Sequence, residues 1–520
     1  ATGADRPEGP DHLWSLAHRW AARHSRSRAW TLCDRVGGLW QGVTMTHMHV
    51  AGSVHADVAA AGPQWLTLPD DVNALDPALW SASTDRDDDG IVEVAGVTVT
   101  ELLSQYGSPL YVLDESDLRQ RARAFRDAFS EWDVYYAGKA FLTRTIASWI
   151  DQEGLFLDTC TGGELITALQ GGMDPARIGL HGNNKSIDEL KLALSVGVGR
   201  IIVDSLDEIM RIEQLCRENG WHARVMVRVT AGVEAHTHEY IATAHEDQKF
   251  GFSITNGAAM VAMVRCHTSD AIDLLGVHSH IGSQIFDTAG FEVAARRTMK
   301  LLEQFHQATG SALPELDLGG GFGIAYTSQD SPATVESLAG ALREIVTLEA
   351  RGRGMEVPHI SLEPGRAIVG PTTMALYTVG TVKPVDLDTG AQRMYVSVDG
   401  GMSDNIRPAL YAAEYSAVIA NRTSEVAPVL CRIVGKHCEA GDILVRDVYL
   451  PGDVSPGDVI AVPGAGAYSR SMASNYNHVP RPAVVSVNED RGVLVLLRRE
   501  NIDDLLALDP GPIRAEVPCP

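Results

Sequence analysis

The feature that most limits what this chain can fold into is a recurrence between residues 130 and 365. Short β-rich runs alternate there with stretches of helical spacing. The runs are Val134–Ala137, Leu155–Asp158, Arg177–His181, Arg200–Asp204, Arg224–Thr230, Leu274–His280, Glu315–Leu318 and His359–Glu363. Between them, Phe291, Ala294, Ala295, Leu301, Leu302 and Phe305 share one face of a helix that Gly310 can end. Eight β/α units imply parallel strands, and eight parallel strands close as a (β/α)8 TIM barrel. An open doubly wound sheet is the alternative. The absence of GxGxxG after the first run favours the barrel.

After Gly370 the pattern turns strand-like: Ala375–Val382, Met394–Val398, Val429–Val434, Val459–Val462, Ala483–Val487 and Val493–Leu497, with turns such as Pro451-Gly452-Asp453 and Pro456-Gly457-Asp458. The expected organisation is a barrel over 115–371 and a C-terminal β-barrel or sandwich domain over 372–515. The segment 81–114 would add N-terminal strands to that β-domain, with Ile91–Val97 as the strand that joins it. Residues 1–80 stand apart. Six of the nine Trp lie there, and residues 1–44 carry six Arg against four acidic residues in a chain of net charge −24. Met45 and Met48 sit where that stretch ends. Residues 1–44 are therefore expected to be a leader, an upstream extension or a misplaced start rather than part of the fold.

The acidic balance, 67 Asp and Glu against 43 Lys and Arg, argues against a nucleic-acid or anionic-membrane partner. No apolar run is long enough to span a bilayer, and the opening Ala1-Thr2-Gly3-Ala4-Asp5 has no apolar signal region. Seven scattered cysteines without a CxxC pair make a disulfide framework or a zinc site a poor expectation and fit a reducing cytoplasm.

Barrel active sites form at the C-terminal ends of the strands, and the reactive residues fall there. Lys139 follows the first run, Asp158 ends the second, His181 the third, and His278 and His280 the sixth. Gly319-Gly320-Gly321 follow the seventh, and Glu363 ends the eighth. A lysine in Tyr-Tyr-Ala-Gly-Lys-Ala-Phe can form an imine with a carbonyl cofactor, where a lone lysine would read as surface. A glycine run lets backbone N–H groups approach a phosphate, or is an ordinary turn. Glu363 can pair with a protonated pyridine nitrogen, or with Arg366 in a salt bridge. His280 can stack on a flat ring, or be a satisfied core histidine. Together these are the needs of pyridoxal phosphate.

Several blocks in order then resemble the diaminopimelate decarboxylases, barrel-type pyridoxal-phosphate enzymes. They are YYAGKAF at 135–141, HGNNKS at 181–186, HSHIGSQ at 278–284, DLGGGFG at 317–323, EPGRAI at 363–368, GKHCEAGD at 435–442 and GAYSRSMASNYN at 466–477. The resemblance spans about residues 80–510. It implies that Lys139 holds the cofactor. The other cofactor contacts would come from Asp158, His280 as the stacking ring, Ser283, Gly320 and Gly321, Glu363 as pyridine partner, Gly365 and Arg366, and Tyr468. It implies that Arg366, Arg407, Tyr411 and Tyr468 contact substrate, with the arginines on a distal carboxylate. Cys438 would be the proton donor and Glu439 the partner of the distal ammonium, both reaching the other subunit of a homodimer. The implied reaction is decarboxylation of meso-2,6-diaminopimelate to L-lysine. Rivals are ornithine-, arginine- or carboxynorspermidine-type decarboxylases on the same fold, a racemase, and a non-catalytic regulator. Arg407 and the SMASNYN run favour diaminopimelate. A Gly138 where the family more often has a larger residue is expected to loosen the Lys139 turn.

Overall fold

The computed structural model describes residues 63, 65–232, 249–387, 392–490 and 492–512. The leader or extension expected over 1–44, with Met45 and Met48, lies outside the described residues.

All eight expected runs are strands: Asp133–Ala137, Phe156–Thr159, Ile178–Leu180, Arg200–Val203, Ala223–Thr230, Ile272–His278, Glu315–Asp317 and His359–Leu362. Each pairs in parallel with the next. Ser361–Leu362 beside Asp133–Val134 closes the ring, so the sheet is a barrel and not an open sheet. Its helix-facing residues are almost all buried apolar groups, which form one continuous core with the surrounding helices, while the interior holds buried polar side chains such as Arg200 and Asp317. The helices begin and end on local chemistry. Thr143, Thr161, Ser186 and Ser205 each accept a first-turn N–H, and Ser186 with Glu189 makes a capping box. The helix Ala289–Thr309 buries the expected apolar face and stops at Gly310, whose φ of 77° is left-handed.

The second domain is a β-structure organised on one long strand, Thr373–Asp386. It pairs with Gln392–Val398, Val459–Val462 and Leu110–Asp114. The six expected runs are all present. One longer member was not expected from the sequence, Ile443–Pro451, which pairs with Pro428–Val434; the strand by which 81–114 joins the domain is Leu110–Asp114. The latter lies between Thr373–Asp386 and Ala483–Asn488.

Ile91–Val97 is not the strand that joins this domain. It folds back as Val92–Val94 and Val97–Thr98, a tight hairpin inside a separate three-stranded sheet. The reason is local. Ala95 and Gly96 both take positive φ, 50° and 76°, the geometry of a two-residue hairpin turn. The chain reverses there before it can extend.

Candidate active site

The barrel's strand ends open into two adjoining cavities of about 470 and 270 Å3, and Lys139, His280 and Glu363 line both. Lys139 sits in a single turn, Gly138–Ala140, directly after the first strand. That turn is held from across the domain boundary: the Ala140 carbonyl accepts from Tyr468 N at 2.9 Å and from Ser471 Oγ at 2.9 Å. Gly138 does not loosen it. A Cβ at this position would stand 2.8 Å from the Asp158 carbonyl oxygen, so the turn is packed tightly on the second strand's end.

Below Lys139 lies a buried polar layer. His278 Nε2 is 2.9 Å from Glu363 Oε1, and His181 Nε2 lies 3.4 Å from the same oxygen and 3.0 Å from Asp158 Oδ1. Beneath them Arg200 pairs with Asp317 at 2.5 Å and donates to Ser361 Oγ at 2.8 Å. The two carboxyls of this layer are driven apart. Burial pulls both upward. For Glu363 the histidines at 278 and 181 outweigh it and hold the carboxyl well below its usual range. Asp158 has the Glu363 charge added to its burial and is pushed well above. The two carboxyls are thus shifted in opposite directions, an arrangement that separates their roles. Burial also lowers His280 well below its ordinary value, keeping the ring neutral, and the Gly320 N–H donates to its Nδ1 at 3.3 Å.

These residues fit pyridoxal phosphate. Gly319 and Gly321 have φ of 73° and 111°. A Cβ on Gly320 would meet the Glu363 carbonyl at 2.1 Å, and one on Gly321 the Gly282 carbonyl at 2.4 Å. Only glycine permits this backbone beside a ligand. Asp158 Oδ2 is buried without a hydrogen-bond partner among the described residues, whereas Glu363 Oε1 and Asp158 Oδ1 lie 2.9 and 3.0 Å from His278 and His181. Ser283, Gly321, Gly365 and Tyr468 line the larger cavity at the end where a phosphate would lie, whereas Asp158 faces only the smaller one.

Toward solvent the larger cavity meets Arg366, Arg407 and Tyr411. Both arginines are buried, and neither forms an ion pair among the described residues. Their partners are neutral. Arg366 donates to Ser283 Oγ at 2.8 Å and to the Tyr326 hydroxyl at 2.5 Å, and Arg407 donates to the Tyr415 hydroxyl.

Cys438 and Glu439 are elsewhere. They are exposed on the turn between Pro428–Val434 and Ile443–Pro451 and line neither cavity. That turn is stiff. Asp442 accepts from His437 N at 2.7 Å and Met402 N at 2.6 Å, and the His437 ring meets Ser403 Oγ at 2.8 Å and Asn477 Oδ1 at 3.1 Å.

Residues 115–370 match the family described as "Pyridoxal-dependent decarboxylase, pyridoxal binding domain". Over 440 residues the chain is 52% identical to the diaminopimelate decarboxylase of Mycobacterium tuberculosis, covering 84% of this chain and 98% of that protein. The chain belongs to the diaminopimelate decarboxylase family. It is a pyridoxal-phosphate-dependent carboxy-lyase. The Bacillus subtilis diaminopimelate decarboxylase is 46% identical, with 81% of this chain and 95% of that protein covered. The fold is shared with the crystal structure of diaminopimelate decarboxylase from M. jannaschii in complex with L-lysine, at a TM-score of 0.77 and 30% identity over 84% of this chain and 99% of that one.

The family's barrel thus accounts for the strand-end residues. Sequence reasoning missed Tyr326 and Tyr415, which hold the arginines, and Arg200 and Asp317, which underlie the acid pair. Asp317 ends a strand and so was available as a strand-end signal, whereas Arg200 begins one and was not. Tyr326 carried no such signal. Among the described residues no helix is long and apolar enough to cross a membrane.

Proposed function

We propose that this chain decarboxylates meso-2,6-diaminopimelate to L-lysine and CO2, the last step of lysine biosynthesis, with pyridoxal phosphate held at Lys139. The observation that carries the reading is the pair of buried guanidiniums, Arg366 and Arg407, that open on the Lys139 cavity and form no ion pair among the described residues. A buried cation without a counter-charge is costly, and a dicarboxylate substrate supplies the missing anion. Ornithine and arginine have no distal carboxylate to offer.

When bound, pyridoxal phosphate supplies a sink for the electron pair left when CO2 departs. Glu363 would pair with the ring nitrogen and favour its protonated form. His280, whose burial disfavours its charged form, would stack on the ring. Ser283, the backbone of Gly320, Gly321, Gly365 and Arg366, and the Tyr468 hydroxyl would hold the phosphate. Asp158 would be a further cofactor contact. Arg366, Arg407 and Tyr411 orient the substrate through its distal carboxylate, and Tyr468 closes that end.

The proton that replaces CO2 comes from the Sγ of the partner subunit's Cys438, and the partner subunit's Glu439 receives the distal ammonium. The exposure of both on a stiff turn, away from their own chain's cavities, supports a homodimer with shared sites. The five described cysteines are all free, in keeping with work in a reducing cytoplasm.

The test is direct. The purified protein with added pyridoxal phosphate is given meso-diaminopimelate, ornithine or arginine in separate reactions, and CO2 and amine product are measured. Lysine and CO2 are expected from diaminopimelate alone. Turnover of ornithine without turnover of diaminopimelate would reject the substrate.

A further inference from the structure

Arg366 and Arg407 come from different parts of the fold. Arg366 begins the short helix after the eighth barrel strand, and Arg407 begins a helix of the β-domain. Side chains this long lose much rotamer freedom when fixed, so something must hold both on one target. The residue between them is Tyr326. Its hydroxyl accepts from Arg366 Nη1 at 2.5 Å, and its ring lies under the Arg407 guanidinium, 4.7 Å from the ring centre. The Tyr415 ring packs edge-on against it at 5.1 Å and presents its own hydroxyl to Arg407.

Tyr326 is itself fixed from both domains. Its N–H donates to Asp330 Oδ2 at 2.9 Å within the loop after the seventh barrel strand. Its carbonyl accepts from Ser416 N and Ser416 Oγ, both at 3.1 Å, from the segment that follows the Arg407 helix. The side chain is 6% exposed and lines the Lys139 cavity. Burial works to raise its phenol, and the two guanidiniums outweigh this and draw it below its ordinary value. The phenol oxygen occupies one N–H of the Arg366 guanidinium, which keeps others for a ligand.

We infer that Tyr326 is a specificity-determining residue, one that joins the barrel's arginine to the β-domain's arginine at a fixed spacing and so makes the pair a receptor for a single distal carboxylate. The inference rests on the proposed substrate. Its function is to position, and it takes no part in moving the proton or releasing CO2.

The test uses two probes that differ in the carboxylate alone, L-lysine and cadaverine, each titrated as a competitor against the loaded protein. Tyr326→Phe keeps the ring and removes the acceptor. It is expected to weaken L-lysine and raise KM for diaminopimelate by about tenfold, the scale of a lost hydrogen bond to a charged group. Cadaverine binding, kcat and cofactor affinity should change far less. Tyr415→Phe, which loosens Arg407 alone, should weaken L-lysine by a smaller factor in the same direction, and it decides the matter if Tyr326→Phe fails to fold. Equal weakening of both probes, or unchanged L-lysine binding in both variants, would overturn the inference. If the unaltered protein does not prefer L-lysine to cadaverine, the diaminopimelate reading itself fails, and the inference with it.

Discussion

The barrel mouth and the Cys438 turn both carry expected catalytic groups, yet they are built in opposite ways. At the mouth Asp158, His181, His278, Glu363 and both arginines are buried, and their charges are balanced against one another around a cavity onto which Lys139 is exposed. The turn is braced just as firmly from beneath, by Asp442 and His437, but its reactive side chains point outward. Burial tunes the first. A thiol in the mouth shows what that means: burial pushes Cys160, beside Lys139, up to about 12. Cys438, by contrast, stands exposed on its turn within its own chain. The contrast separates a site completed within one chain from a site completed by assembly.

The largest effect expected from breaking this contrast is at the mouth. Lys139→Ala should abolish turnover and the cofactor's covalent absorbance band. A retained band would refute the role of this lysine. Next is the turn. Cys438→Ala should lower kcat by about 10²–10⁴-fold, the usual contribution of a positioned acid, while cofactor affinity stays as it was. Mixing inactive Lys139→Ala protein with Cys438→Ala protein under conditions of subunit exchange should then restore turnover, because one site in each mixed dimer is whole. Failure to complement despite demonstrated exchange would place Cys438 and Lys139 in the same chain's site.

The smallest effect concerns the foundation of the turn. Asp404 lies in the loop 400–405 against which the turn packs, and burial pushes its carboxyl up to about 7 from an ordinary 3.8. The folded protein holds this proton up to about pH 7, whereas the unfolded chain releases it near its ordinary value. Its contribution is therefore fully present below the unfolded value and is lost as pH rises through about 7. Thermal unfolding of Asp404→Asn should show a flatter decline between these limits, with the difference at most about 4 kcal/mol. An unchanged pH slope would show that Asp404 is ionised in the folded state.

Legibility followed the range of the interactions. The strand runs were readable because a buried parallel strand needs a short apolar stretch, and Asp158, His181, His278 and Glu363 were readable because barrel geometry makes the last residue of such a stretch face the mouth. Ile91–Val97 misled because its apolar composition hid the Ala95-Gly96 reversal. Leu110–Asp114 was missed because what makes it a strand is its place between Thr373–Asp386 and Ala483–Asn488, residues hundreds of positions away. The acid pair was visible as two residues, but not as a pair shifted in opposite directions, since that depends on histidines from two other strands.

By itself the sequence determined the barrel, the cofactor lysine on its first strand, the glycine run and the order of the family's blocks. These rest on local periodicity and on residue types with few substitutes. Only the tertiary structure decided which carboxyl is raised and which lowered, that Gly138 packs the lysine turn instead of loosening it, and that Tyr326 stands between two arginines from different domains. Each of those depends on distances between residues far apart in the chain, and electrostatic and packing energies are set by distance in space.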